Sequence, residues 1–274
     1  MEESIDWGAA LSETDMDSFR GAFPSLSTKK ASAKEVEYLL QLAQEYEERL
    51  KVAGTAKWFI EGTPFSIDHC PKHKAFFAAG KDYRQRIFLA SNRSGKSVAG
   101  AYETGCHATG LYPDWWEGKR FDRPVNIWAA GKTGQTTRDT VQKELLGPAG
   151  AYGTGMLPIE TLVKVHPRAG ITNGVDLIRV KHVSGGESLV GFKSYDQDMK
   201  AFYGTAMDVV WLDEECPELI YNECLLRTMT TNGIIYVTFT PLHGLTPFIV
   251  NYSNGADYLE GAMRILAPTE DKSE

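Results

Sequence analysis

The feature that most constrains this chain is a short turn, Ser91-Asn92-Arg93-Ser94-Gly95-Lys96-Ser97, set between a β-rich run and a helical one. Arg86-Ile87-Phe88-Leu89-Ala90 precedes it and Val98-Ala99-Gly100-Ala101-Tyr102-Glu103 follows. In a strand–turn–helix context the turn's backbone amides and the positive end of the helix converge on one point, which suits a phosphate. Gly95 permits close backbone approach. Lys96 would reach the β- and γ-phosphates as a point charge, and Ser97 would offer its hydroxyl to Mg²⁺. The turn therefore reads as a phosphate-binding loop for ATP with Mg²⁺, with residues 91–97 as its nucleotide contacts. Ala90 stands where the GxxxxGK[ST] pattern has its first glycine, so the loop departs from the strict motif.

Around the loop, short apolar runs alternate with helical stretches: Val125–Ala130, Val175–Val183, Ser188–Phe192, Met207–Leu212, Gly233–Thr240 and Met263–Leu266. Asp196–Phe202 and Ile220–Met229 read as helix or loop between them. Near-continuous apolar strands such as Val209-Val210-Trp211-Leu212 belong in a sheet covered on both faces. The expected fold class is α/β, a P-loop NTPase of RecA/ASCE-like type with a mostly parallel central sheet flanked by helices. An N-terminal helical segment is expected as well. Ser32-Ala33-Lys34-Glu35 has the form of a capping box opening an apolar-periodic run that ends at Gly54. Residues 1–54 are thus expected to form an arm and helix, 55–267 the P-loop domain, and 268–274 the start of a linker.

Two further segments carry chemistry. Asp208-Val209-Val210-Trp211-Leu212-Asp213-Glu214 is an apolar strand ending in an acidic pair, the Walker B arrangement. A strand's carboxyl end opens on the crevice where α/β folds bind ligands. Asp213 would hold Mg²⁺, and Glu214 would orient and deprotonate the attacking water. Downstream, Tyr236-Val237-Thr238-Phe239-Thr240-Pro241 is a β-rich run ending in hydroxyl residues and a turn. Thr238 or Thr240 could sense the γ-phosphate and relay its loss.

The order SNRSGKS, GFKSYDQDMKAFYGTAMDVVWLDEE, TFTPLHG resembles the ATPase domain of the large terminase subunit of tailed double-stranded DNA bacteriophages. The stretch GLYPDWWEGKRFDRPVNIWAAGKTGQTTRDTVQKELLG (110–147) is similar to such terminases too, and the resemblance runs from about residue 55 to 250. It implies ATP-driven translocation of double-stranded DNA into an empty capsid, with portal protein, the small terminase subunit and further copies in a ring as partners, in the host cell cytoplasm and outside the mature virion. It makes Lys96 and Glu214 catalytic, Ser97 and Asp213 metal-binding, and Thr238 and Thr240 coupling residues. His73 occupies the place of the family's adenine-reading glutamine, with a plain surface histidine as the other reading. An arginine finger is implied; Arg93, Arg138 and Arg227 are the candidates, with Arg93 in cis preferred. A C-terminal nuclease domain is also implied, but the chain stops soon after the last predicted strand, so no nuclease activity is expected of it.

Composition narrows little. Lys and Arg number 29 against 36 Asp and Glu, a net charge of −7 that carries no basic footprint for nucleic acid. No run approaches the roughly 18 apolar residues of a membrane helix, and four scattered cysteines without a CxxC pair suit a reducing compartment. Two other functions share these motifs: a helicase-like DNA-dependent ATPase, and a nucleotide-gated assembly module that scarcely hydrolyses. A working Glu214 separates the second from an ATPase.

Overall fold

The computed structural model describes residues 58–60 and 66–241, and the backbone of 262–267, all within one compact unit, Arg49–Glu274. The expected capping box at Ser32, its helix, the arm before it and the linker after 267 lie outside the described residues.

Eight strands form one sheet: β1 Gln85–Ala90, β2 Asn126–Gly131, β3 Leu162–Pro167, β4 Val175–Lys181, β5 Glu187–Ser194, β6 Val209–Asp213, β7 Ile234–Phe239 and β8 Ala262–Ala267. Their order is β3-β4-β5-β2-β6-β7-β1-β8. The six from β5 to β8 pair in parallel. Among the described residues only β3–β4 and β4–β5 are antiparallel. The mostly parallel sheet flanked by helices is thus present, and β7 lies between the loop strand β1 and the acidic strand β6. That placement lets the end of β7 touch both.

The central strands are buried on both faces because successive side chains alternate. Phe88, Ala129, Val209, Trp211 and Tyr236 enter one core, whereas Ile87, Leu89, Trp128, Val210, Leu212 and Val237 enter the other. Helices cover both: α1 Pro71–Ala78, α2 Lys96–Thr109, a composite α3 and α4 Glu218–Met229. Proline at the first position opens α1. The α3 segment runs through Gly134–Thr136, a π turn Thr137–Gln142 and Lys143–Leu146. Its start is a capping box between Thr133 and Thr136. The π turn carries Gln142 inward, where its amide takes the Val175 N–H at 2.9 Å and donates to Asn173 O at 2.9 Å.

Small residues let α2 lie close on the sheet. It is buried along nearly its whole length, and it ends on Gly110 in the left-handed conformation, whose N–H returns to Cys106 O at 2.8 Å. Its Glu103 and His107 join Arg86 of β1 in a buried ionic group. Burial alone would raise the Glu103 carboxyl, but the Arg86 guanidinium and the His107 bond hold it below the usual carboxylate range. The Arg86 guanidinium also donates to Phe76 O at 2.7 Å and lies over the Phe76 and Tyr236 rings. This group clamps the strand entering the loop to the helix leaving it.

All four cysteines are free thiols. Among the described residues no helix is long and apolar enough to cross a membrane.

Candidate active site

The loop follows β1 as expected and opens directly into α2, with Gly95 as its cap at φ 79. Arg93 is also left-handed, at φ 65, and exposed at the loop's apex. The Lys96 ammonium donates to Ser91 O at 2.7 Å, and the Ser94 hydroxyl donates to the same oxygen at 2.8 Å. Burial lowers the Lys96 pKa, and the Glu214 and Asp213 carboxylates oppose that shift. The lysine is therefore within electrostatic range of both acidic residues.

Asp213 is the hub. Strand register sets it beside Thr238 of β7. Its Oδ1 accepts from the Ser97 hydroxyl at 2.9 Å and from the Thr238 hydroxyl at 2.7 Å. Trp211 Nε1 in turn donates to Thr238 Oγ1 at 2.8 Å, fixing that hydroxyl's lone-pair side. Asp213 is 3 % exposed, and burial pushes its carboxyl up to about 6 even though both hydroxyl bonds and Lys96 pull the other way. The Ser97 hydroxyl of the loop and the Thr238 hydroxyl of β7 thus meet at one Asp213 oxygen.

Glu214 follows with an exposed side chain and φ 68. A left-handed residue that is neither glycine nor asparagine is sterically disfavoured, and such strain clusters at functional sites. Its N–H donates to Thr238 O at 2.9 Å. Thr240, one residue beyond β7, donates to Asn92 Oδ1 at 3.0 Å. Thr238 and Thr240 therefore reach different parts of the site, Thr238 the acidic pair and Thr240 the loop.

His73 is not the plain surface histidine of one reading. It lies on α1 beneath the loop, ring to ring with Phe59 at 5.6 Å and Phe88 at 5.0 Å. Its Nε2 stands 3.4 Å from Gly95 O. Burial lowers its pKa against two backbone contacts that raise it, so it is neutral near pH 7. A Cβ on Gly95 would meet Nε2 at 3.1 Å, in a backbone conformation that already excludes alanine cheaply.

The arginines fall in different places. Arg138 follows β2 on the same sheet edge as the loop, half-buried, bonded to Asp139 at 2.7 and 3.1 Å and to Thr172 O at 3.0 Å. Arg227 is in the last turn of α4, where its carbonyl accepts from Met207 N before β6 begins. That is the amino-terminal edge of the sheet, out of reach of this chain's own loop. Its guanidinium pairs with Glu223 at 2.9 Å.

Sequence reasoning gave no role to Trp211 or to Tyr195, whose hydroxyl donates to Asp213 O at 2.8 Å. No local pattern marks either; only the fold brings them to the acidic turn. Two clefts of about 550 and 1030 Å³ open elsewhere, around His182 and around Lys119, so concavity alone does not lead to this site. Among the described residues no three His, Cys, Asp or Glu side chains gather into a metal cage. The donors at hand are hard oxygens, one carboxylate and one hydroxyl beside a phosphate loop, which fits Mg²⁺ shared with substrate phosphates.

The family model described as terminase large subunit, T4likevirus-type, N-terminal, matches residues 87–258. The large terminase subunit of Salmonella phage P22 is 35% identical over 234 residues, covering 78% of this chain and 45% of that protein. A solved large terminase from the thermophilic bacteriophage D6E, in complex with ADP, is 16% identical with a TM-score of 0.47 and covers 82% of this chain and 46% of its own. The chain spans about half the length of these relatives.

Proposed function

The chain belongs to the terminase large-subunit family, and from that premise we propose that it hydrolyses ATP with Mg²⁺ to drive double-stranded DNA into an empty viral capsid. The observation that carries the proposal is the meeting of Ser97 and Thr238 on one Asp213 oxygen, with Lys96 and Glu214 beside it.

Lys96 leaves Ser91 O for the β- and γ-phosphates, drawn by charge. Backbone amides of residues 91–97 and the start of α2 take the phosphate oxygens. Ser97 and Asp213 would hold Mg²⁺, which when bound neutralises charge on the β- and γ-phosphates. The Glu214 carboxylate orients a water and takes its proton. Arg93 neutralises charge developing on the transferred phosphoryl group, the finger role in cis. His73 supports the loop from below through Gly95 O. Thr238 and Thr240 feel the loss of the γ-phosphate through Asp213 and Asn92 respectively, a two-armed relay from site to strand. Portal protein, the small subunit and neighbouring copies in a ring are the proposed partners, in the host cytoplasm.

Two variants test the chemistry. Lys96→Ala should lose nucleotide binding, whereas Glu214→Gln should keep binding and lose turnover. Nucleotide binding without turnover in the parent protein would point to the nucleotide-gated module instead, and full turnover in Glu214→Gln would remove Glu214 as the base. Strand separation of a duplex substrate would point to a helicase, since a packaging motor moves duplex intact.

A further inference from the structure

The left-handed conformation of Glu214 needs something to hold it, because such strain persists only where the surroundings over-determine it. One restraint is the N–H bond to Thr238 O. The other comes from outside both motifs. The Tyr195 hydroxyl lies 2.8 Å from Asp213 O and 3.4 Å from Glu214 O, so one O–H reaches the carbonyls on both sides of the Glu214 Cα. Tyr195 is itself anchored, since its N–H donates to Gly131 O at 2.9 Å at the end of β2. Its ring packs half-buried against the core that contains Cys216 and Cys224.

We propose that Tyr195 is a positioning residue for hydrolysis: its hydroxyl bridges the Asp213 and Glu214 carbonyls and holds Glu214 in the turn that aims its carboxylate at the phosphate loop. The assignment rests on reading the site as an ATPase. It also gives the turn a mechanical connection. Asp196, next in the chain, accepts from Gly134 N–H at 3.3 Å at the start of α3, the segment that carries Arg138. A displacement of α3 is thereby passed to Glu214 through two adjacent residues.

Tyr195→Phe keeps the ring and deletes only the hydroxyl. In the full chain without nucleotide, the Glu214 amide should exchange its hydrogen about tenfold faster, since the strained turn opens more often. Affinity for a non-hydrolysable ATP analogue with Mg²⁺ should stay unchanged. The kcat should fall about ten- to a hundredfold with little change in KM, the signature of a misplaced base. In a Glu214→Gln background the same change should lower kcat no further. A wild-type kcat in Tyr195→Phe, an unchanged exchange rate at Glu214, or a further loss in the Glu214→Gln background each overturns the assignment. If the parent protein neither binds nor hydrolyses ATP, the reading of the site falls instead, and the exchange rate still decides what Tyr195 holds.

Discussion

Replacing Gly100 by alanine sets local against tertiary energetics. Gly100 sits inside α2, where exchanging glycine for alanine ordinarily stabilises a helix by about 1 kcal/mol. Here an added Cβ would stand 2.3 Å from Trp211 Nε1 and 2.4 Å from Cε2. Carbon contacts settle at about 3.5–4.0 Å, so α2 has to retreat from β6 by roughly 1 Å or the indole has to turn. Overpacking of this kind costs about 1–3 kcal/mol. Turning the indole also breaks its bond to Thr238, worth about 1 kcal/mol more. Against the helical gain, the net loss is about 1–3 kcal/mol. Urea unfolding should show a lower midpoint at constant slope. Because Trp211 orients Thr238 and Thr238 bonds Asp213, affinity for nucleotide with Mg²⁺ should fall as well. Trp211→Phe removes the colliding Nε1, so the double variant should lose less than the two singles together. A Gly100→Ala protein as stable as its parent would refute the claim that α2 is pinned to β6 at this glycine.

Asp213 sets a pH dependence: its folded carboxyl is raised from 3.8 to about 6, so the nucleotide-free fold binds a proton that the unfolded chain releases. This group's contribution to stability therefore declines as pH rises from 3.8 to about 6, while affinity for Mg²⁺-nucleotide, which needs the carboxylate, declines as pH falls below about 6; calorimetric titration at several pH values reads the second effect. Glu103→Leu leaves the Arg86 guanidinium, 0 % exposed, without its carboxylate and should cost about 3–5 kcal/mol, whereas Arg86→Met with Glu103→Leu should cost far less in the same urea measurement. Arg93→Ala should lower kcat at saturating ATP by about 10³ or more, as loss of a finger does, while Arg227→Ala in dilute, unassembled protein should turn over at the parent rate.

How much of this is legible before folding depends on how local the cause is. The loop reads directly because glycine, lysine and serine act through their own backbone and side chains within one turn. The parallel strands read well because burial on both faces makes them nearly continuously apolar, as in Val209-Val210-Trp211-Leu212. The edge strand β3 does not: Leu162-Val163-Lys164-Val165-His166-Pro167 mixes polar and apolar residues, ends in proline and pairs with β4 through two register shifts. Arg86 stood inside a run taken as apolar, and nothing nearby announces that Glu103 and His107 will meet it across a strand and a helix. His73 was placed by resemblance near the nucleotide, yet its position under Gly95 comes from α1 packing on Phe59 and Phe88. Tyr195 is the extreme case, since the carbonyls it bridges lie 18 and 19 residues away and carry no sequence signal at all.

A crystal structure with Mg²⁺ and a non-hydrolysable ATP analogue puts the whole arrangement to the proof. The metal should take the Ser97 hydroxyl at about 2.0–2.1 Å, with Asp213 bound directly or through one water, Lys96 released from Ser91 O onto the phosphates, and Glu214 facing the γ-phosphate. A nucleotide seated away from residues 91–97, or a metal that ignores both Ser97 and Asp213, would contradict the account.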